Sequence, residues 1–395
     1  MGLDYNFDEQ IDRRGTHSCR WTLFVPAGRE KAYGDDYIYL ACADMDFTCS
    51  NAVKRELQKV VDHNVYGYTI LMPKDSDDYY DAVLHWFRHS RGWELKKGQV
   101  FYTPGSTGGA RMALRAFTKP GDGVIINHPV YGPFHMVIEG EGRNVVNSQL
   151  LCDETGYYSL NFEELEELAA RDDVTAYLLC SPHNPVGRVW TEEELKRIHD
   201  ICRKHNVLIL SDEVHCDFVW TGNTFKGIAQ VTDGSGIVTL TGFGKTFNLA
   251  AMEPANAVIT DEALIPAFAR AAGYMMISPF TIAAVKGACL GSDDWLCQVR
   301  AYIEANLEFA VDFLKERMPK VRCRKPEGGY MLWMDFSAYG FGDEEIHRRI
   351  YEEAQVILED GTGFDPVYGK GWQRACIPLP RKRLEEALER IAKVF

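Results

Sequence analysis

The chain has 395 residues, of which 46% are hydrophobic, so it is long enough for two domains and for a large buried core. Its formal net charge of -14 argues against a surface for nucleic acid or anionic membranes, because both select clustered Lys and Arg. No apolar run approaches the length of about 18 residues that a membrane-spanning helix needs. We therefore expect a small molecule as the partner, and neither nucleic acid nor membrane.

The cysteines indicate a reducing environment. There are 11 of them, scattered along the chain without a C-x-x-C pair. Residues 1–5 are too acidic and too poor in apolar side chains to resemble a signal peptide. Both observations predict reduced thiols and a cytoplasmic location.

Between residues 98 and 257, short β-branched segments alternate with amphipathic stretches, a pattern typical of a mostly parallel sheet with helices on its faces. The predicted strands are, in chain order, Val124–Ile126, Ala176–Cys180, Val207–Leu210 and Ile237–Leu240. Helices are predicted over Met112–Phe117, over Phe162–Ala170, and from Thr191, which can form a capping box with Glu194. The sequence thus predicts an α/β fold.

Beyond Gly291 the pattern changes. We predict a long helix over Asp294–Met318, a strand over Tyr330–Asp335, and helices near Asp343–Gln355 and Arg381–Val394. These elements indicate a second, smaller α/β domain. The predicted division is a large domain over residues 50–290 and a small domain made of residues 1–49 and 291–395.

Lys245 is the first candidate for catalysis, because it follows the predicted strand Ile237–Leu240 and a glycine-containing turn. Burial disfavours a charged amine, so a lysine at the end of a buried strand can more easily attack a carbonyl. Gly244-Lys245-Thr246 also ends a phosphate-binding P-loop motif, but Thr239 stands where that motif requires its first glycine. The remaining alternative is an ordinary solvated lysine.

Three further polar residues follow predicted strands, where functional residues of open α/β sheets gather. Asp212 could pair with a protonated ring nitrogen, Asn184 could donate to a phenolate-like oxygen, and Tyr131 could stack on an aromatic cofactor. Taken singly, each has an ordinary explanation: a salt-bridged aspartate, an Asn-Pro turn and a packed tyrosine.

A glycine-rich segment with hydroxyl groups precedes the apolar helix predicted over Met112–Phe117. Its residues Ser106, Thr107 and Gly108 could bind a phosphate at a helix N-terminus, although a glycine-rich turn alone is weak support. A phosphate site, a stacking ring, an amide, a carboxylate and a lysine together match the groups of pyridoxal 5'-phosphate.

In this order along the chain, these residues resemble fold type I pyridoxal-phosphate enzymes. The longer strings are similar to those of the bacterial cysteine-S-conjugate β-lyases, which include cystathionine β-lyases. Those strings are Ala43–Phe47, Ser181–Trp190, Ser211–His215 and Lys245–Ala250. The resemblance extends from about Phe7 to the C-terminus.

The resemblance implies a role for each matching residue. Lys245 would be linked to the cofactor through an imine, with Asp212 at the pyridine nitrogen, Asn184 near the ring oxygen and the substrate, and Tyr131 over the ring. His215 stands where many related aminotransferases carry tyrosine, and we include it among the residues that bind the cofactor.

Two further implied roles concern the substrate and a second subunit. Arg374 resembles the arginine that holds the substrate α-carboxylate, for which a guanidinium is well shaped. Tyr68 resembles the tyrosine that reaches the phosphate of the neighbouring subunit, which implies a homodimer. The chain departs from the family at Gly244, where a serine is usual.

The implied activity is β-elimination from L-cystathionine or a related L-cysteine S-conjugate, which gives a thiol, pyruvate and ammonia. An aminotransferase would use the same lysine, aspartate and arginine, and a regulatory binding protein could retain the fold. The acidic cluster Asp212, Glu213, His215 and Asp217 could suggest a metal, but the cofactor explains Asp212 better. We therefore predict no metal.

Overall fold

The computed structural model describes residues 5–22, 37–71 and 78–395. The strands are β1 (Ile38–Tyr39), β2 (Val100–Pro104), β3 (Gly123–Ile126), β4 (Asn144–Asn147), β5 (Leu151–Cys152), β6 (Tyr158–Ser159), β7 (Val174–Cys180), β8 (Leu208–Asp212), β9 (Ile237–Gly242), β10 (Pro254–Val258), β11 (Arg322–Cys323), β12 (Met331–Asp335), β13 (Val356–Ile357), β14 (Glu359–Asp360) and β15 (Trp372–Cys376).

The helices are α1 (Cys19–Thr22), α2 (Asn51–His63), α3 (Asp78–Arg91), α4 (Gly105–Phe117), α5 (Pro133–Gly140), α6 (Phe162–Ala169), α7 (Glu192–Lys204), α8 (Ile228–Val231), α9 (Phe243–Thr246), α10 (Ile265–Ala272), α11 (Pro279–Gly291), α12 (Asp293–Arg317), α13 (Asp343–His347) and α14 (Arg381–Ala392). None of these described helices is long and apolar enough to cross a membrane.

The main sheet has seven strands in the order β2-β10-β9-β8-β7-β3-β4. Only β10 runs antiparallel to its neighbours, so the predicted mostly parallel α/β fold is confirmed. Both faces are covered: Ile125 packs in one core cluster with residues of α6 and α7, whereas Val124 and Ile126 pack in another with residues of α4 and α5. Burial on both faces explains why these strands are continuously hydrophobic.

The structure confirms the four strands predicted from the β-branched segments, as β3, β7, β8 and β9. It also confirms the capping box: the Thr191 hydroxyl accepts from the Glu194 amide at 3.1 Å, and the Glu194 carboxylate accepts from the Thr191 amide at 2.8 Å. Helix α6 begins after Asn161, whose side chain accepts from the Glu164 amide. Local capping chemistry therefore defines both helix starts.

The prediction for the glycine-rich segment was wrong about where the helix begins. Helix α4 starts at Gly105 and not at Met112, so Ser106, Thr107 and Gly108 belong to its first turn. A Cβ on Gly109 would lie 2.9 Å from the Leu240 side chain. The glycines are there because the helix packs closely on the sheet, and this contact outweighs their poor helix propensity.

A second, antiparallel sheet has the order β11-β12-β15-β14. The predicted strand Tyr330–Asp335 is confirmed as β12, and the predicted terminal helices as α12 and α14. The predicted helix over Asp343–Gln355 is interrupted, because α13 passes into a π-helical segment at Arg348–Glu353. Strand β1 pairs with β13 in parallel, so the N-terminal region joins this part of the chain.

The parallel strands all present their carboxyl ends at one edge of the main sheet. Gly105, Tyr131, Asn184 and Lys245 follow β2, β3, β7 and β9 respectively, and Asp212 ends β8. This is the edge at which open α/β sheets bind ligands.

Candidate active site

A cavity of about 220 Å³ lies at this edge of the sheet. Seven of the predicted site residues line it, namely Ser106, Thr107, Tyr131, Asn184, Asp212, His215 and Lys245. Gly108, Arg374 and Tyr68 do not line it. Among the described residues of the wall, Lys245 is the only Lys or Arg.

Lys245 lies in the short helix α9, directly beyond the end of β9. Its Nζ donates to the carbonyl oxygen of Ala43 at 2.7 Å, and the hydroxyl of Tyr330 donates to the same oxygen at 3.1 Å. Among the described residues, the hydrogen-bond acceptor of the Lys245 amine is this carbonyl oxygen and not a carboxylate. The amine is therefore held at the cavity by a neutral acceptor, from which it can be withdrawn without separating opposite charges.

Asp212 is a buried carboxylate without a cationic partner in contact, as far as the described residues extend. One oxygen accepts from the Ser106 hydroxyl at 3.1 Å and the other from the Val214 amide at 3.3 Å. Burial raises the pKa of Asp212 to about 6, against the hydrogen bonds and the charge of Lys245, which lower it. A cationic group in the cavity would stabilise the ionised carboxylate.

His215 has an unsatisfied buried nitrogen: its Nδ1 has no hydrogen-bond partner among the described residues. Burial is the main cause that lowers the pKa of His215 to about 3, and the positive charges of Lys245 and Arg374 add to it. The imidazole is therefore neutral at neutral pH. Because buried polar atoms are normally paired, a polar group of a bound molecule is expected near this ring.

Tyr131 covers the cavity as a neutral phenol. Burial raises the pKa of its hydroxyl to about 12. Its ring contacts Phe134 edge-on, with the ring centroids 5.9 Å apart. The next residue is tightly enclosed, since a Cβ on Gly132 would lie 2.6 Å from the carbonyl oxygen of Gly363. The backbone beside Tyr131 is thus fixed by packing.

The first turn of α4 forms the polar end of the cavity. Gly105 has φ +74°, a conformation that glycine adopts without strain. The Ser106 hydroxyl already donates to Asp212, whereas Thr107 faces the cavity. Gly108 is small because a Cβ there would lie 3.0 Å from the Pro104 side chain. An anion here would meet the partial positive charge of a helix N-terminus.

Arg374 lies on β15, is 2% exposed, and is held by two side chains. Its Nη1 donates to the Asn184 Oδ1 at 2.8 Å, and its Nε donates to the Glu359 Oε2 at 2.9 Å. Nη2 donates to the same Glu359 oxygen. Asn184 therefore links Arg374 to the cavity wall.

The other acidic residues near Asp212 point elsewhere. Glu213 accepts from the Ser211 hydroxyl at 2.9 Å, and Asp217 pairs with Arg91 at 3.1 Å. In the part of the chain that the structure describes, no group of three or more His, Cys, Asp and Glu is arranged to hold a metal ion.

Sequence reasoning missed three groups at this site: the Ala43 carbonyl, Tyr330 and Glu359. Ala43 belongs to the string Ala43–Phe47, which carried the resemblance, but any residue has a carbonyl, so its acceptor role had no signal. Glu359 lies in a two-residue strand, which is too short for a periodic pattern.

Residues 35–391 match the family described as aminotransferase class I and II. The chain belongs to this family. It is 34% identical to cystathionine beta-lyase PatB of Bacillus subtilis (strain 168), over 98% of each chain.

Two solved structures share the fold over nearly the whole chain. Cystalysin from Treponema denticola, which contains a pyridoxal 5'-phosphate cofactor, is 30% identical, with a TM-score of 0.93 and 99% of each chain covered. A pyridoxal-phosphate-bound C-S lyase from Staphylococcus hominis is 28% identical, with a TM-score of 0.90 and 99% of this chain and 98% of that chain covered.

Proposed function

We propose that this chain is a pyridoxal-phosphate-dependent carbon–sulfur β-lyase that cleaves L-cystathionine or related L-cysteine S-conjugates. The observation that carries the proposal is one cavity in which Lys245 and the buried Asp212 meet, in a family member similar along its whole length to a cystathionine β-lyase. A lysine nucleophile and a buried carboxylate are the two groups on which this cofactor depends.

The residues of the cavity fit the cofactor. A pyridinium nitrogen would supply the cation that the buried Asp212 carboxylate lacks. The α4 N-terminus would hold the phosphate, with Ser106, Thr107 and Gly108 in its first turn. Asn184 and His215 would contact the ring oxygen, and Tyr131 would stack on the face of the ring. Lys245 would bind the cofactor covalently.

When bound, pyridoxal 5'-phosphate supplies a carbonyl for the substrate amine and a ring that accepts electrons from Cα. The side chains of the protein would move the protons. The Lys245 Nζ would accept the proton from the substrate Cα. Asp212 would hold a proton at the ring nitrogen, because a carboxylate next to a cation stabilises the charged form.

Arg374 and Asn184 orient the substrate. We propose that the Arg374 guanidinium binds the α-carboxylate, since planar N–H pairs match carboxylate geometry. Asn184 fixes that guanidinium through the 2.8 Å hydrogen bond to Nη1. A substrate held at its carboxylate and its amine presents its Cα–H bond in one direction, towards the lysine.

The net reaction converts one S-conjugate and one water into one thiol, one pyruvate and one ammonium ion. The Cβ–S bond breaks, and its electron pair leaves with sulfur, which becomes a thiol after protonation. The pair from the Cα–H bond forms the new double bond. No external oxidant or reductant is needed.

The test is incubation of cofactor-loaded protein with L-cystathionine and other L-cysteine S-conjugates, with thiol and pyruvate measured together. We expect equal amounts of both, an absorbance band of the lysine-bound cofactor, and loss of product and band in Lys245→Ala. The exposed Lys226→Ala is the matched control and should retain both. Absence of pyruvate with every S-conjugate would reject the lyase.

An aminotransferase is the second candidate, because the matching family carries that description. It would use the same lysine and arginine but would return the proton to the cofactor. Conversion of the cofactor to its amine form by an amino acid, reversed by a keto acid and without pyruvate from a sulfur substrate, would identify this activity instead.

We also propose that the protein is a cytoplasmic homodimer with a large domain over residues 50–290 and a small domain over 1–49 and 291–395. All 11 cysteines are free thiols, which suits a reducing compartment. The two main sheets support the division, since one lies within residues 100–258 and the other within 322–376. Tyr68 supports the dimer, because it is 94% exposed.

A further inference from the structure

Glu359 and Asn184 together occupy three of the five N–H groups of the Arg374 guanidinium. The Glu359 Oε2 accepts from Nε at 2.9 Å and from Nη2, and the Asn184 Oδ1 accepts from Nη1 at 2.8 Å. A guanidinium has five N–H groups, so one N–H on each terminal nitrogen has no partner among the described residues. A carboxylate could accept hydrogen bonds from these two.

The sheet fixes this pair. Glu359 and Arg374 are directly opposite in the antiparallel strands β14 and β15. Such neighbours are close enough to hold one another's side chains in place. The same Glu359 oxygen also accepts from the amide of Cys42 at 3.2 Å. Cys42 precedes Ala43, whose carbonyl holds the Lys245 amine. Glu359 thus ties the guanidinium to the backbone segment that holds the lysine.

Charge gives Glu359 a second effect. The side chains of Arg374 and Glu359 are only 2% and 12% exposed, so little water screens them. Glu359 neutralises the guanidinium before a substrate arrives. A substrate carboxylate would then be the second anion on one cation, and two carboxylates near one another repel. The charge of Glu359 therefore weakens the binding of a substrate carboxylate to Arg374, whereas its hydrogen bonds orient Arg374 for that binding.

We propose that Glu359 is a positioning residue that sets the affinity of the site for the substrate α-carboxylate. The Glu359 carboxylate oxygen holds the Arg374 guanidinium in the orientation that binds the substrate α-carboxylate. The negative charge of Glu359 lowers the affinity of the guanidinium for that carboxylate. The inference rests on the proposed function in one respect, namely that Arg374 binds the α-carboxylate.

Two substitutions separate the two effects. Glu359→Gln keeps an oxygen that can accept all three N–H groups and removes the charge, whereas Glu359→Ala removes both. The probes are L-alanine and L-alaninamide, which differ in the carboxylate, titrated calorimetrically into cofactor-loaded protein. Compared with the parent protein, we expect L-alanine to bind at least about threefold more tightly to the Gln variant and about tenfold more weakly to the Ala variant. Binding of L-alaninamide should be the same in the parent and the Gln variant, and in the Ala variant it should weaken less than binding of L-alanine, because the Ala variant also loses the Cys42 contact.

If the Glu359–Arg374 salt bridge only stabilised the fold, the substitutions of Glu359 would weaken the binding of L-alanine and L-alaninamide equally. This result would overturn the proposal. Unchanged or weaker L-alanine binding in Glu359→Gln would do the same, even if the Ala variant failed to fold. Calorimetry requires no turnover. Carboxylate-dependent binding without pyruvate formation would therefore refute the lyase alone, and pyruvate formation with unchanged binding in the Glu359 variants would refute this inference alone.

Discussion

At Gly244 the chain lacks the hydroxyl of the serine that is usual in the family, and the backbone at Ala250 packs closely on this position. The family that the sequence resembles has serine at this position, but here a Cβ would lie 3.2 Å from the Cα of Ala250. That is closer than an ordinary contact, so the neighbouring backbone would have to move by a few tenths of an ångström. The close approach of α9 to the segment at Ala250 therefore favours glycine.

The pair Gly244→Ala and Gly244→Ser separates these two contributions. Both should destabilise the cofactor-free protein by about 1 kcal/mol, because both introduce the same Cβ. The serine hydroxyl should in addition bind the phosphate, so the Ser variant should bind the cofactor more tightly than the Ala variant. Urea unfolding and a cofactor titration measure the two effects. Equal dissociation constants would show that the hydroxyl does not reach the phosphate.

Residues in continuous motifs could be predicted from sequence, and residues that act through distant contacts could not. Lys245, Asp212 and Asn184 each follow a recognisable strand, and the structure brings all three to one cavity. Ala43 acts through its backbone, and Glu359 reaches Arg374 across strands too short or too polar to identify. Such roles depend on tertiary contacts, which leave no local signal in the sequence.

At the scale of the elements, β8 and α4 together create the environment of Asp212. The strand ends at the carboxylate in a buried position, and the first turn of α4 supplies the Ser106 hydroxyl. Burial raises the pKa of Asp212 from 3.8 to about 6. Between these two pH values, the cofactor-free folded protein retains a proton on Asp212 that the unfolded chain has released. This difference must appear as a pH-dependent stability.

Asp212→Asn should remove that dependence. In the cofactor-free parent, the contribution of Asp212 is fully present below pH 3.8 and is lost as pH rises through about 6. The Asn variant should therefore gain about 2 kcal/mol relative to the parent between about pH 4 and about pH 8. Urea unfolding at both pH values measures this gain. Parallel pH profiles would contradict the buried-carboxylate explanation, whereas cofactor binding to the parent should diminish the difference.

Elements with strong local signals could be predicted, and elements defined by tertiary packing could not. The capping box of α7 and the β-branched strands have such signals. Strand β15 buries the polar residues Gln373 and Arg374, which hides it from hydrophobic periodicity. Glycines concealed the start of α4, because their contacts with β2 and β9 cannot be read from propensity.

At the scale of the whole molecule, apolar side chains are exposed on the segment that packs on α11. Tyr68 is 94% exposed and Val65 is 64% exposed, while Tyr66 packs on Phe280 with the ring centroids 5.5 Å apart. Phe280 lines a second cavity of about 510 Å³, and Glu253 lines both this cavity and the active-site cavity. In the homodimer that we propose, a second copy of the chain would bury this surface, and Tyr68 would reach the cavity of the other subunit.

Hybrid dimers test whether Tyr68 acts across the interface. In a symmetric dimer, a Lys245→Ala subunit and a Tyr68→Ala subunit together form one site with both lesions and one site with neither. After random mixing of equal amounts of the two variants, about half of the dimers are hybrids, so about a quarter of all sites should be intact. If Tyr68 contributed to the site of its own subunit, every site would keep one substitution and mixing would restore no activity.

Sedimentation equilibrium of the parent should show a dimer. Tyr68→Phe should remain dimeric but bind the cofactor more weakly, because only the hydroxyl is lost.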